Sequence, residues 1–136
     1  MENFQIMTEG AQQEALFEWA AWQYGKYPEL RLMYHIPNEG KRSLRTGARL
    51  KREGMKKGVS DICLPVARGK YHGLYIELKT ETGKASKEQI DFLYAVSKQG
   101  YSAHVCYGLE QAQLVIKRYL SLQAFGAEDK ICTEKG

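Results

Sequence analysis

The sequence predicts a single α/β domain with a mixed β-sheet flanked by helices. Its 136 residues, 43% apolar and 26% charged, suffice for one ordinary core and are too few for two domains. Segments with helical and with strand periodicity follow each other in the order helix, strand, helix, strand, strand, helix, strand, helix. No internal repeat or low-complexity segment interrupts that order, which favours one sheet covered by helices.

The first helix and the first strand are predicted before a proline. Residues 11–24 contain no glycine or proline and carry an apolar face that includes Leu16 and Ala20, which predicts a largely buried helix. Residues 32–36, with the sequence LMYHI, have the composition of a short strand, and Pro37 closes it.

A strongly basic segment, residues 41–57, comes next. Eight of its side chains are basic and one is acidic, so it carries +7, whereas the rest of the chain, with 12 basic and 15 acidic residues, carries −3. Ser43 is placed to cap a helix that runs through Arg52. Gly47 and Gly54 each weaken that helix by roughly 1 kcal/mol relative to alanine.

Two strands are predicted in the centre of the chain. Residues 61–66 and 73–79 alternate strictly between apolar and polar side chains, which is typical of strands with one buried face. The apolar sets of the two strands coincide if Val66 lies opposite Leu74, and we expect this register. It also brings the two polar sets together on the other face of the sheet.

The second half of the chain continues with a helix, a strand and a helix. Ser86 and Gln89 have the spacing of a capping box, which predicts that a helix begins there. Residues 101–107 are a further strand candidate, and residues 109–120 are predicted to form the last helix. Residues 125–136 are expected to be a loose tail beyond a domain of residues 1–124.

Several classes of protein are disfavoured by composition. The chain has no apolar run long enough to span a bilayer and no secretory signal pattern at its start, so we expect a soluble, cytoplasmic protein without a membrane partner. Three cysteines without a CxxC pair argue against a disulfide framework and a zinc site. The three histidines include no HxxxH pair, which argues against a histidine metal cage.

The candidate catalytic residues are expected on the polar face of the two central strands. In the expected register Asp61 lies opposite Lys79 and diagonal to Glu77, with Cβ atoms about 7 to 8 Å apart on the diagonal. Two such carboxylates can converge on one Mg²⁺ or Mn²⁺ ion, and the main-chain carbonyl of Leu78 could add a ligand. With Lys79 beside a metal-bound water, this group suits phosphodiester hydrolysis.

The same spacing also has a simpler interpretation. Alternating apolar and polar residues describe an ordinary hairpin with one solvated face, and taken alone the pattern favours it. Asp61 and Lys79 would then form a surface pair worth between 0 and about 1 kcal/mol.

Three short motifs include or follow these residues: GVSD at residues 58–61, ELK at residues 77–79 and GKASKEQ at residues 83–89. They resemble motifs of the VRR-NUC family, a branch of the PD-(D/E)xK nuclease superfamily. GVSD looks like the family's G-x-P-D element, with Ser60 where proline is usual. ELK at residues 77–79 is its E-x-K element, and GKASKEQ at residues 83–89 is similar to the segment that follows. The resemblance covers roughly residues 11–120 and includes MYHIPNEG before the basic segment.

This resemblance implies a restriction-endonuclease-like fold and a Mg²⁺- or Mn²⁺-dependent DNA endonuclease. The residues with implied catalytic roles are Asp61, Glu77, Lys79 and Gln89. The implied metal contacts are Glu14, Asp61, Glu77 and Leu78. Glu14 would contact the metal or its water from the first helix, with Glu18 as the substitute if that helix is rotated. Gln89 would orient the site, although its capping role alone could explain it.

The basic segment is interpreted as a DNA-binding surface because Lys and Arg contacts to phosphates dominate nucleic-acid affinity. The predicted DNA-binding residues are Asn38, Lys41, Arg42, Arg45, Arg49, Arg52 and Lys84. Two alternatives stay open: a charge run is usually a solvated face, and Asn38 can instead hold the turn that Pro37 begins. No aromatic residues interleave with the basic ones, so duplex or branched DNA is expected.

Stand-alone members of the family, of the phage and bacterial type, look like homodimeric enzymes that act on branched DNA such as four-way (Holliday) junctions. We therefore expect such a nuclease, acting as a homodimer in a phage or bacterial host cytoplasm. The main alternative is a non-catalytic basic DNA-binding module. A sequence-specific restriction enzyme is less favoured, because few residues outside the core remain to read bases.

Overall fold

The computed structural model of the protein describes residues 7–37 and 44–126, and within these ranges four helices flank a four-stranded sheet. In chain order the elements are α1 (Glu9–Trp22), a 3-10 helix (Pro28–Leu32), β1 (Tyr34–His35), α2 (Leu44–Arg52), β2 (Ile62–Leu64), β3 (Leu74–Lys79), α3 (Lys87–Lys98), β4 (Ser102–Tyr107) and α4 (Leu109–Leu120). The predicted α/β class and element order are confirmed. The described part contains no helix that is long and apolar enough to cross a membrane.

The sheet mixes strand directions in the order β1-β2-β3-β4. The first two pairings are antiparallel, and β3 runs parallel to β4. Its inner face presents the buried residues Ile62, Ile76 and Leu78 to a core shared with helices α1 and α4. Strands β3 and β4 can run parallel because α3 supplies the connection between them.

Helix α1 begins two residues earlier than predicted, and the predicted burial of Leu16 and Ala20 is confirmed. The Thr8 hydroxyl accepts a hydrogen bond from the Ala11 N–H at 3.1 Å, so the helix begins at Glu9. Gln12, Leu16 and Ala20, four residues apart, form its buried stripe. The expectation of a largely buried helix is therefore wrong for its opposite side, where Trp22 is 82% exposed.

The predicted register of β2 and β3 is wrong by two residues. Ile62 pairs with Ile76 and Leu64 with Leu74, so the ladder brings Asp61 level with Glu77 rather than with Lys79. Pro65 follows directly after β2 and has no N–H to give a ladder, which removes Val66 from the pairing that we expected. A register shift of two residues keeps every side chain on its predicted face of the sheet, because side chains alternate with a period of two.

The remaining elements differ little from the prediction. The first strand is two residues long because Leu32 belongs to the 3-10 helix. The capping box of Ser86 and Gln89 is confirmed, and α4 has the predicted bounds. The expected cap Ser43 and residues 127–136 of the expected tail lie outside the described residues.

Candidate active site

A cavity of about 290 Å³ lies where α1, the end of β1, the start of β2 and the N-terminus of α3 meet β3. Most of the side chains around it are charged or polar. Its lining consists of Glu9, His35, Lys57, Gly58, Asp61, Glu77, Lys79, Ser86 and Gln89. Four of the predicted site residues, Asp61, Glu77, Lys79 and Gln89, are therefore brought together in one cavity.

Asp61 and Glu77 are coupled through the backbone of the neighbouring strand. The Asp61 N–H donates to Oε2 of Glu77 at 3.3 Å, and the Leu78 N–H donates to Oδ2 of Asp61 at 3.0 Å. The Asp61 carbonyl also accepts the Ile36 N–H at 2.7 Å. Each carboxylate is thus held by a main-chain donor next to the other one, and Leu78, the predicted main-chain ligand, belongs to this network.

Glu77 is a buried acid beside a second acid. Its side chain is 1% exposed. Burial, and after it the neighbouring Asp61 charge, raise the pKa of Glu77 to about 8, although the Lys79 ammonium opposes both effects. The cavity therefore disfavours a second negative charge unless a cation accompanies it.

Lys79 supplies a positive charge inside the cavity. It is 8% exposed, and its Nζ lies 3.4 Å from Oε1 of Glu77 and 3.5 Å from Oε1 of Glu9. The ammonium is thus held between an acid of β3 and an acid of α1. Such a position suits a group that orients a nucleophile or stabilises negative charge in the cavity.

The acid that α1 contributes is Glu9. Glu14 and its substitute Glu18 are exposed, and neither lines the cavity, so the structure does not bring them to the site. The reason is the phase of α1, because the stripe of Gln12 and Leu16 that faces the core continues backward to Glu9. The spacing of three and then four residues along that stripe is the signal in the sequence that could have identified Glu9.

Gln89 performs two tasks with one amide. Its Oε1 accepts the Ser86 N–H at 2.8 Å, which completes the capping box of α3. Its Nε2 donates to Oε1 of Glu77 at 2.8 Å. The cap fixes which end of the amide faces Glu77, so the capping role of Gln89 and its predicted site-orienting role are compatible.

Gly58 and Lys57 attach the loop before Asp61 to helix α3. Gly58 has φ +89°, and a Cβ there would lie 2.5 Å from the main-chain oxygen of Glu88. Lys57 Nζ lies 3.6 Å from Oε1 of Glu88. Only glycine permits this close approach, which explains the glycine of the GVSD motif, whereas Lys57 was not among the predicted site residues.

The predicted DNA-binding residues are only partly described. Arg45 belongs to α2, and Arg49 and Arg52 are exposed on that helix, where Arg49 Nε lies 3.8 Å from Oε1 of Glu53. Lys84 is exposed before α3. The predicted contacts Asn38, Lys41 and Arg42 lie outside the described residues.

The donor chemistry of the cavity suits a divalent cation. Asp61 and Glu77 offer the hard oxygens that Mg²⁺ and Mn²⁺ prefer, and a cation would offset the burial and the Asp61 repulsion that together raise the Glu77 pKa. Over residues 7–37 and 44–126, no three His, Cys, Asp or Glu side chains already converge on one point for an ion. Binding would therefore require these side chains to move closer together, with Glu77 turning from the Lys79 ammonium.

Comparison with known proteins agrees with the motifs and the geometry. The family model of the VRR-NUC domain matches residues 7–110. The chain belongs to the VRR-NUC domain family. A solved VRR-NUC domain protein is similar to it with a TM-score of 0.79 and 30% identity, over 94% of this chain and 100% of that one.

Family membership confirms the predicted resemblance and makes this a nuclease-type domain. The matched residues include all nine that line the cavity. No curated protein matches the chain.

Proposed function

We propose that this VRR-NUC protein is a Mg²⁺- or Mn²⁺-dependent endonuclease that hydrolyses phosphodiester bonds of DNA. The observation that carries the proposal is the buried Glu77 carboxylate, which contacts the Asp61 main chain, Gln89 and Lys79 in one cavity. A buried acid next to a second acid and a lysine is a costly arrangement for a merely structural hairpin, and such clusters mark functional sites.

The residues of the cavity divide the work of phosphodiester hydrolysis. Asp61, Glu77 and the main-chain carbonyl of Leu78 would hold the ion, and Glu9 would contact it or its water from α1. When bound, a divalent ion supplies an activated water and neutralises charge on the phosphoryl oxygens. The Lys79 ammonium orients the attacking water and stabilises the negative charge that develops on the phosphate.

Two further groups keep this arrangement in place. Gln89, itself fixed by the α3 cap, holds Oε1 of Glu77 and so directs the carboxylate across the cavity. The Asp61 N–H holds the other oxygen. Lys57, exposed at the cavity, can donate hydrogen bonds to the phosphate next to the scissile one, because its only described partner is the surface carboxylate of Glu88.

DNA binding is proposed for the basic segment that contains α2. The +7 charge of residues 41–57 contrasts with the −3 of the remaining chain. The last residue of this segment, Lys57, lines the cavity. Lysine and arginine contacts along a duplex backbone would hold the scissile strand beside Asp61. Branched DNA such as a four-way junction would suit a homodimer, in which a two-fold axis doubles the basic surface and supplies one site for each of two strands.

A cleavage assay with labelled substrates tests this proposal. The protein is incubated with a four-way junction, a flap, a linear duplex and single-stranded DNA, each with Mg²⁺, Mn²⁺ or EDTA. We expect cleavage that requires a metal and is fastest on branched DNA. Lys79→Ala should retain DNA affinity and lose at least about two orders of magnitude in cleavage rate, the scale of removing a transition-state stabiliser.

Salt-sensitive binding without metal-dependent cleavage of any substrate would instead identify a non-catalytic DNA-binding module. Equal cleavage of all four substrates would retain the nuclease and refute the branched-DNA preference. Unchanged cleavage by Lys79→Ala would remove that lysine from the mechanism.

A further inference from the structure

His35 lines the cavity, and the proposed mechanism gives it no role. It ends the short strand β1, where its Cα pairs with Ile62, the residue after Asp61. Its ring Nδ1 lies 2.9 Å from the main-chain oxygen of Asp61. The imidazole is therefore hydrogen-bonded to the main chain of Asp61, the residue whose carboxylate is the proposed metal ligand.

The partner of Nδ1 determines which nitrogen carries the hydrogen. A carbonyl oxygen can only accept a hydrogen bond, so Nδ1 is the donor in this contact. In the neutral ring Nε2 then carries a lone pair and no hydrogen. Among residues 7–37 and 44–126, Nε2 of His35 has no hydrogen-bond partner, and the side chain is exposed.

We propose that Nε2 of His35 is a nitrogen ligand for the divalent ion of this cavity and favours transition-metal ions over Mg²⁺. The proposal rests on the proposed function, because it assigns a fourth side chain to the same ion. It adds to the carboxylate set a ligand of a different chemical class.

Two physical arguments support a ligand role for this imidazole. Histidines that bind metals through one nitrogen commonly donate the other N–H to a backbone carbonyl or carboxylate, which fixes the ring orientation and increases the basicity of the ligand. His35 already makes that bond, with the carbonyl of Asp61 as the acceptor. In addition, Nε2 of this exposed imidazole has no hydrogen-bond partner among residues 7–37 and 44–126, so an ion could bind there without breaking a contact in the described part of the chain.

The metal preference follows from the ligand type. Mg²⁺ binds oxygen ligands almost exclusively and retains much of its water, whereas first-row transition metals accept imidazole nitrogen. A site of carboxylate oxygens alone would discriminate little between Mg²⁺ and Mn²⁺. Adding His35 should strengthen Mn²⁺ binding and leave Mg²⁺ binding nearly unchanged.

The nitrogen ligand can be detected directly in the full-length, untagged protein loaded with Mn²⁺. Electron spin echo envelope modulation of the bound ion reports ¹⁴N nuclei in its ligand shell and does not depend on cleavage. Isothermal titration measures Mn²⁺ and Mg²⁺ affinity in the same samples. The variants are His35→Gln, the matched control His72→Gln, which is exposed and does not line the cavity, and Asp61→Asn, which tests whether the ion is in the cavity.

We expect ¹⁴N modulation in the wild type and in His72→Gln, and its loss in His35→Gln. His35→Gln should also weaken Mn²⁺ binding by about tenfold or more, the scale seen when a metal ligand or its support is removed, with less than about a twofold effect on Mg²⁺. Mn²⁺ that binds in an Asp61-dependent way without ¹⁴N modulation would overturn the role of His35 and leave the proposed nuclease intact. Failure of the wild type to bind Mn²⁺ would overturn this inference and the proposed metal dependence together.

Discussion

Replacement of Glu77 by glutamine should stabilise the metal-free protein at high pH. Burial and the Asp61 charge raise the pKa of Glu77 from 4.5 to about 8 in the folded chain. Between these values the folded state retains a proton that the unfolded chain has released. The free energy of unfolding must therefore fall as pH rises from about 4.5 to 8.

The size of this effect follows from the linkage relation. Each pKa unit corresponds to about 1.4 kcal/mol, so Glu77 can cost the wild type on the order of 4 to 5 kcal/mol above pH 8. Glu77→Gln has no charge to release and can still accept the Gln89 amide through its own oxygen. Its stability relative to the wild type should thus increase by several kcal/mol, about 3 to 5, between pH 5 and 8.5.

Urea denaturation in EDTA at a series of pH values measures this difference, and Glu14→Gln, at an exposed site on α1, is the matched control. The control should follow the wild type at every pH. A divalent ion at a hundredfold excess over its Kd should stabilise the wild type at pH 8.5 by about 2.7 kcal/mol and so offset part of the loss. The same ion should stabilise Glu77→Gln less, because this variant lacks one of the two carboxylates. Parallel pH profiles for the wild type and Glu77→Gln would refute the account of the buried acid.

Three other variants test the site and its surroundings. Glu9→Gln should weaken Mn²⁺ binding in titrations and slow cleavage in gel assays by about tenfold or more. Glu14→Gln should change neither, and equal effects of the two variants would refute the helix orientation that places Glu9 at the cavity. Gly58→Ala should lower the free energy of unfolding by about 2 kcal/mol or more, because φ is positive there and the backbone of α3 is too close for a Cβ. Gly47→Ala, in a helix with open space around the position, should raise the free energy of unfolding by up to about 1 kcal/mol. Thermal denaturation compares the two variants. Arg52→Ala should reduce the salt dependence of DNA affinity by about one phosphate contact in fluorescence anisotropy, and an unchanged slope would remove Arg52 from the interface.

The faces of the sheet could be predicted from the sequence, whereas the register could not. Alternation has a period of two, so the slip caused by Pro65 left Asp61 and Glu77 on the expected face. It changed them from diagonal to directly opposite neighbours. A proline that ends a strand two residues early has no signature in the apolar pattern itself.

The phase of α1 shows a second limit of prediction. Periodicity identified Leu16 and Ala20, but apolar and small residues occur on nearly every side of this helix, and the extension of the buried stripe to Gln12 and Glu9 was missed. The buried stripe reaches Glu9 through Gln12, a polar residue that is buried in the folded chain. The burial of a polar side chain can be recognised only once the position of the sheet is known. In contrast, the capping box of α3 is a local interaction, and local spacing was enough to predict Gln89 at the helix start.

Diffraction from crystals soaked in Mn²⁺ can locate the proposed ion, because manganese gives an anomalous signal. We expect an anomalous peak bounded by the carboxylates of Asp61 and Glu77, with Glu77 turned away from the Lys79 ammonium. Absence of the peak at saturating Mn²⁺, with Glu77 still bound to Lys79 and Gln89, would contradict the assignment of this cavity as a metal-dependent active site.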